Sequence, residues 1–165
     1  MNTDILSAHI IADLLDKNCV VQVLDIVDST NTYAKTLERS ESPALVVANE
    51  QTKGRGRLGR SFYSPSSKGI YMTIAFKPNF DLERILLMTP LAAVAVCKAF
   101  EEVAGVQPKI KWVNDLYLEG KKVCGILATS GIDQERNAFV IVGIGINTGK
   151  GELPEEIRDI ATTLP

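Results

Sequence analysis

Short apolar runs alternate with polar stretches along the chain, and most of the runs have the length and composition of β-strands. Residues 19–27 (CVVQVLDIV), 44–48 (ALVVA), 70–76 (IYMTIAF) and 138–146 (AFVIVGIGI) are rich in β-branched side chains. Residues 109–113 and 116–118 add two shorter strands, and Glu119-Gly120 forms a hairpin turn into residues 121–130 (KKVCGILATS). Helical patterning is confined to Ala8–Leu15, to Thr32–Glu38 and to the run from Asp81 to Val106. In that run Leu91, Val94, Ala95, Lys98 and Glu102 divide into apolar and polar faces. Thr89 with Pro90 fits a cap followed by proline at the first helical position, and Gly105 fits the residue just past the end. The pattern predicts an α+β protein whose last third is sheet.

Alternation places Lys122, Cys124 and Ile126 on one face of their strand, with Val123, Gly125 and Leu127 on the other. A lysine on that face is unusual, because lysine is rarely buried without a partner. An edge position with its amine reaching water accounts for it as well.

A length of 165 residues with 45% apolar and 23% charged residues describes one packed domain, residues 1–165, and excludes a disordered chain. Net charge is −2 and the isoelectric point is about 5.5, whereas a general nucleic-acid binder is usually basic. No basic start followed by an apolar run marks a signal peptide, and no apolar window is long enough to span a bilayer. Cys19, Cys97 and Cys124 are far apart among apolar neighbours, as expected of reduced core thiols in a cytoplasmic protein. His9 is the single histidine and has no evident partner, so Ser-His-Asp, Cys-His and His-rich zinc chemistry are all poorly supplied. The chemistry falls to Arg, Lys, Asp, Asn and the backbone.

Against this acidic background, residues 50–60 (EQTKGRGRLGR) concentrate four cations and three glycines between two strands. Gly54, Gly56 and Gly59 permit positive φ and close approach of backbone N–H groups to a ligand. Lys53, Arg55, Arg57 and Arg60 supply charge, and an arginine fork matches a carboxylate or phosphate. A small anion is the expected ligand; a flexible Arg-Gly surface loop is the plainer reading of the stretch alone. Asp28-Ser29-Thr30-Asn31 closes one strand and opens a helix. It serves either as an N-cap or as hydroxyl and amide groups presented to a polar ligand. Gly143-Ile144-Gly145-Ile146-Asn147 lacks the third glycine of a dinucleotide fingerprint. Glycines inside a strand more often mark close approach of a backbone or a ligand.

In order, Asp28–Asn31, Gly54–Arg60, Lys111–Leu116 with Lys122 and Gly125-Ile126, and Gly143–Asn147 resemble the catalytic core of biotin protein ligases, from about Val20 to the C-terminus. The resemblance implies a mixed, largely antiparallel sheet flanked by helices, as in biotin ligases and class II aminoacyl-tRNA synthetases. It implies that biotin and ATP, with Mg²⁺, give biotinyl-5′-AMP, and that the biotinyl group passes to a lysine of a carrier protein. Ser29, Thr30, Asn31 and Gln51 then fall where the family holds the biotin head group. Arg55, Gly56 and Arg57 fall where it wraps the tail and the phosphate, and Lys122 where it contacts the carboxyl or the adenylate. Asn114 and Asp115 match the polar pair near ATP and its metal, with Lys111 and Asn147 also toward the nucleotide and Phe62 over the adenylate. Arg57, Lys122 and Asp115 are the implied catalytic residues, Asp115 as base or metal ligand.

Val113 departs from the family's usual proline, and Phe62 from a frequent tryptophan. No helix-turn-helix precedes the core, which points to a ligase that does not regulate transcription. The usual small C-terminal domain is also missing, so a minimal or truncated form is expected. The implied partner is the biotin carboxyl carrier protein of acetyl-CoA carboxylase or another biotin-dependent carboxylase; homodimerisation is left open, with no nucleic acid and no membrane. The alternatives are a biotin- or adenylate-binding module unable to complete transfer, and a lipoate or octanoate ligase.

Overall fold

The computed structural model describes residues 6–15, 18–37, 42–80, 82–132, 137–149 and 153–165. Seven strands, β1 (Val20–Val27), β2 (Ala44–Gln51), β3 (Gly69–Phe76), β4 (Lys109–Lys111), β5 (Asp115–Leu118), β6 (Lys121–Ile132) and β7 (Ala138–Asn147), form one sheet of order β1-β2-β3-β7-β6-β5-β4. β1 and β2 run parallel, and each other neighbouring pair is antiparallel. A parallel pair needs a crossover, and here it contains the short helix α2 (Thr30–Lys35). A second short helix, α1 (Ala8–Asp13), precedes β1. The mixed, largely antiparallel α+β fold expected from the sequence is the one observed.

The two faces of the sheet differ. Val140, Val142, Ile144 and Ile146 of β7 pack with Val96 and Phe100 of α3 (Met88–Ala104) and with Leu116, Val123, Cys124 and Ile126. On the opposite face a smaller cluster joins Ala34 of α2 to Val46, Ala75 and Ile141. β7 is therefore covered on both sides, which explains a nearly unbroken apolar run in place of strict alternation.

Pro90 is the third residue of α3 and not its first, and Leu87, not Thr89, holds the cap position. The proline is tolerated because the first N–H groups of a helix have no partner inside it. A 3₁₀ stretch, Leu82–Leu87, leads in. Gly105 ends the helix in the left-handed region, at φ 66°, with its N–H donating to the Glu101 carbonyl at 3.1 Å. The hairpin turn falls where expected: Glu119 and Gly120 both have positive φ, 50° and 82°. No helix among the described residues is long and apolar enough to cross a membrane.

The alternation expected for β6 is broken. Leu116 pairs with Cys124 but Tyr117 pairs with Lys122, so Val123 is an extra residue in a β-bulge. Val123 and Cys124 are both fully buried in the larger cluster. Lys122 lies on the opposite face with Gly125, where an added Cβ would stand 2.9 Å from its Nζ. The expected grouping of Lys122 with Cys124 and Ile126 is thus corrected, and no lysine has to be accommodated among apolar side chains.

Burial pushes the Cys124 thiol up to about 12. An unfolded thiol ionises near pH 8.5, so the stability that neutrality confers is complete below roughly that pH and is lost as pH rises toward the folded value. At about pH 8, a thiol reagent is expected to spare Cys124 in the folded protein and to modify it once denaturant is added, as read by peptide mass.

Candidate active site

The separate motifs meet on the α2 face of the sheet, where β3 joins β7. Cross-strand register aligns Thr73 with Gly143 and Leu127, and Tyr71 with Gly145 and Gly125. These three glycines leave the sheet bare, and other side chains lie flat on it. A Cβ at Gly143 would overlap the Asn31 amide, one at Gly145 would come within 2.5 Å of the Phe62 ring, and one at Gly125 would meet both Lys122 and Phe62. The strand glycines admit these side chains rather than a second backbone.

Residues 54–62 form a narrow hairpin. Arg55 and Ser61 bridge, Gly56 N–H donates to the Arg60 carbonyl at 2.7 Å, and Phe62 N–H to the Gly54 carbonyl at 2.9 Å. Its tip is a single 3₁₀ turn, Arg57–Gly59. Of the three glycines expected to need positive φ, Gly59 alone has it, at 74°; Leu58 takes the other left-handed position, at φ 56°, with its side chain 89% exposed. Gly54 is required by space, since a Cβ would overlap the Phe62 carbonyl oxygen. With the N–H groups of Gly56 and Phe62 used internally, the hairpin offers cations more than backbone donors.

Between hairpin and sheet lies a cleft of about 430 Å³. One end is polar, formed by Ser29, Thr30, Asn31 and Gln51. The Thr30 N–H and hydroxyl lie 2.9 and 3.0 Å from Gln51 Oε1, and Gln51 Nε2 donates to Ser64 Oγ at 2.9 Å. Ser64 donates in turn to the Phe62 carbonyl at 2.9 Å. Thr73 Oγ1 stands 2.7 Å from Thr30 Oγ1 and 2.6 Å from Asn31 Oδ1, and Asn31 Nδ2 donates to the Leu127 carbonyl at 3.4 Å. Ser29 occupies the N-cap position of α2, but its side chain makes no capping bond; it is buried against the cleft.

The other end is charged. Arg57 Nη1 donates to Asn114 Oδ1 at 3.0 Å, Asn114 Nδ2 to Asp115 Oδ1 at 2.7 Å, and Lys122 Nζ pairs with that same carboxylate oxygen at 2.8 Å. Arg55 also lines the cleft. Three cations facing one carboxylate make this end positive on balance, suited to an anion. Asp115, expected to hold a metal, already accepts two donors on Oδ1. No group of three or more His, Cys, Asp or Glu among the described residues could hold an ion.

A wider cavity of about 1140 Å³, open to solvent, shares Arg57, Phe62, Asn114 and Lys122 with the cleft and adds Asp115, Tyr117 and Asn147. The C-terminal segment walls it with Ile157, Ile160 and Ala161. That segment is bonded to the site: Lys122 N–H donates to the Ile160 carbonyl at 2.9 Å, Thr162 N–H to the Lys122 carbonyl at 2.8 Å, and Asn147 Nδ2 to the Thr162 carbonyl at 3.1 Å. Of the residues expected at the site, Lys111 is the exception, outside the lining of both cavities. Its amine donates to the Tyr117 hydroxyl at 3.2 Å and stands 4.8 Å from that ring's centre.

Ser64, Tyr71 and Thr73 were not anticipated. Thr73 is a small hydroxyl in the apolar run IYMTIAF, a signal that could have been used; Ser64 sits among other serines and gives none. Tyr71 is buried, donates to the Pro65 carbonyl at 2.9 Å and meets Phe62 edge-on with ring centres 6.5 Å apart. Burial pushes its phenol well above the ordinary value, so it stays a donor.

Residues 23–147 match the model of the biotin/lipoate A/B protein ligase family. The chain is 42% identical over 144 residues to the bifunctional ligase/repressor BirA of Bacillus subtilis, a match covering 85% of this chain and 44% of the relative. It is 30% identical over 151 residues to the biotin–[acetyl-CoA-carboxylase] ligase of Mycobacterium tuberculosis, covering 86% and 54%. The solved biotin protein ligase of Aquifex aeolicus, in complex with biotin and ATP, superposes with a TM-score of 0.71 at 39% identity, covering 88% of this chain and 59% of that one. The chain thus spans about half the length of the curated relatives it matches.

Gly143→Ala is expected to displace the Asn31 amide and to lower stability by about 1–3 kcal/mol, the usual cost of overpacking, as measured by denaturant unfolding.

Proposed function

Since the chain belongs to the biotin/lipoate A/B protein ligase family, we propose that it joins biotin to a lysine of a biotin carboxyl carrier protein by way of biotinyl-5′-AMP. The observation that carries this reading is the convergence of Arg55, Arg57 and Lys122 on a cleft whose far end is the polar group Ser29, Thr30, Asn31 and Gln51. In the first step a biotin carboxylate oxygen bonds to the α-phosphorus of ATP and pyrophosphate leaves. Two anions must approach for this, and fixed cations in a partly enclosed site offset their repulsion without having to reorganise. In the second step the neutral amine of the carrier lysine attacks the acyl carbon and AMP leaves.

The polar end takes the biotin head group, and the cations take the carboxylate and the phosphate. Phe62, Asn114 and Asn147 face the wider cavity, which takes the nucleotide. Asp115 is assigned to holding Lys122 in place, because its Oδ1 already accepts from that amine and from Asn114. Mg²⁺ enters with the triphosphate, whose charge it screens; the described residues build no cage for it. The proposed acceptor is the carrier of acetyl-CoA carboxylase or of another biotin-dependent carboxylase. The proposed compartment is the cytoplasm, in keeping with three free cysteines.

Incubation with biotin, Mg-ATP and a carrier domain is expected to add one biotinyl mass to the carrier, and biotin-dependent exchange between ATP and pyrophosphate reports the first step alone. Exchange without carrier labelling reduces the activity to adenylate formation; neither exchange nor biotin binding by folded protein removes the reading. Lys122→Ala is expected to slow exchange roughly 10²- to 10³-fold, the scale for losing one donor aimed at developing charge. Arg57→Ala is expected to weaken retention of both biotin and the adenylate, measured by equilibrium dialysis.

A further inference from the structure

We propose that Thr73, which does not line the cleft, is a positioning residue that fixes the proton order of the polar end and thereby selects a ligand head group that donates N–H. The ligand side of this inference rests on the biotin reading. Thr73 is 0% exposed and lies on the face of β3 that Tyr71 and Ala75 share, in register between Val46 and Gly143. A valine of nearly the same shape suits a buried strand position better, and a buried hydroxyl costs stability unless it is bonded. The hydroxyl is therefore present for what it bonds.

Its partners define one arrangement. The Leu127 carbonyl can only accept, so Asn31 turns Nδ2 toward it, and Asn31 Oδ1 then needs a donor. Thr73 Oγ1, at 2.6 Å, supplies its one proton. Its lone pairs then face Thr30 Oγ1 at 2.7 Å, which makes Thr30 the donor in that contact. With its proton committed to Thr73, the Thr30 oxygen is an acceptor toward the cleft. Gln51 Oε1 receives the Thr30 N–H at 2.9 Å and keeps a second lone pair. Thr30 and Gln51 together thus offer acceptors to a head group with N–H donors, such as a cyclic urea. A dithiolane ring, which has no N–H, gains nothing from them.

Thr73→Val removes the hydroxyl with little change of shape, and Thr73→Ser restores it. In calorimetric titrations biotin affinity is expected to fall roughly 10- to 100-fold in the valine variant, the scale for leaving buried partners unpaired. The serine variant is expected to retain the affinity, and binding of a dithiolane carboxylic acid is expected to be the same in all three proteins. A second readout needs no ligand. The two Asn31 side-chain amide protons should give separate, slowly exchanging NMR signals in the wild type and in Thr73→Ser, and should exchange rapidly in Thr73→Val. Unchanged Asn31 signals in a folded valine variant overturn the positioning role whatever the ligand is. Altered signals together with unchanged biotin affinity overturn the selection. If the wild type binds no biotin while the Asn31 signals respond as described, the biotin reading fails and the positioning role stands.

Discussion

The site depends on a patch of sheet with no side chains. Gly125, Gly143 and Gly145 lie side by side on β6 and β7, and the space above them is filled from three directions by Lys122, Asn31 and Phe62. A β-sheet normally holds anything packed against it a side chain's length away. Here a helix-borne amide, a loop-borne ring and a strand-borne amine come down to the backbone itself, and that closeness brings distant motifs into one cleft. Each of these side chains is held by its neighbours: Asn31 by Thr73 and Leu127, Phe62 by Tyr71, Lys122 by Asp115.

The charge arrangement follows from a local defect in the sheet. Without the bulge at Val123, Lys122 would point into the apolar cluster under α3, where its ammonium would be costly to desolvate. With the bulge it reaches Asp115 and stays 29% exposed. Asp115 balances one of the three cations, so the cleft keeps a net attraction for anions while the amine stays oriented. Asn114 extends the same chain of contacts to Arg57, so the mobile-looking Arg-Gly sequence is tied to β5 by a side-chain bond.

Much of this was legible in the sequence, for identifiable reasons. β-branched runs bounded by turn residues marked the strands, and Gly105 and Gly120 announced backbone conformations that they do adopt. The four motifs indicated the family and all but one of the residues found around the two cavities. What was hidden has a physical explanation in each case. Val123 and Cys124 are both apolar, so their pattern fits a bulge and a regular strand equally well. Pro90 is as acceptable at the third helical position as at the first. Leu58 carries a left-handed backbone that side-chain chemistry does not advertise. Ser29 and Thr73 owe their roles to neighbours remote in sequence, and Lys111 is drawn to Tyr117 by a contact that periodicity cannot reveal.

The order of the strands divides the sheet into two consecutive halves, β1 to β3 and β4 to β7, that meet along one seam between β3 and β7. Asn31, Phe62, Tyr71 and Thr73 belong to the first half, and Gly125, Gly143, Gly145 and Lys122 to the second. Neither half alone contains a binding surface. Closing the seam joins segments far apart along the chain, the kind of pairing that carries a large loop-closure entropy and comes late in folding. Competence to bind therefore arises with the last long-range step of assembly, and a partly folded chain is catalytically silent.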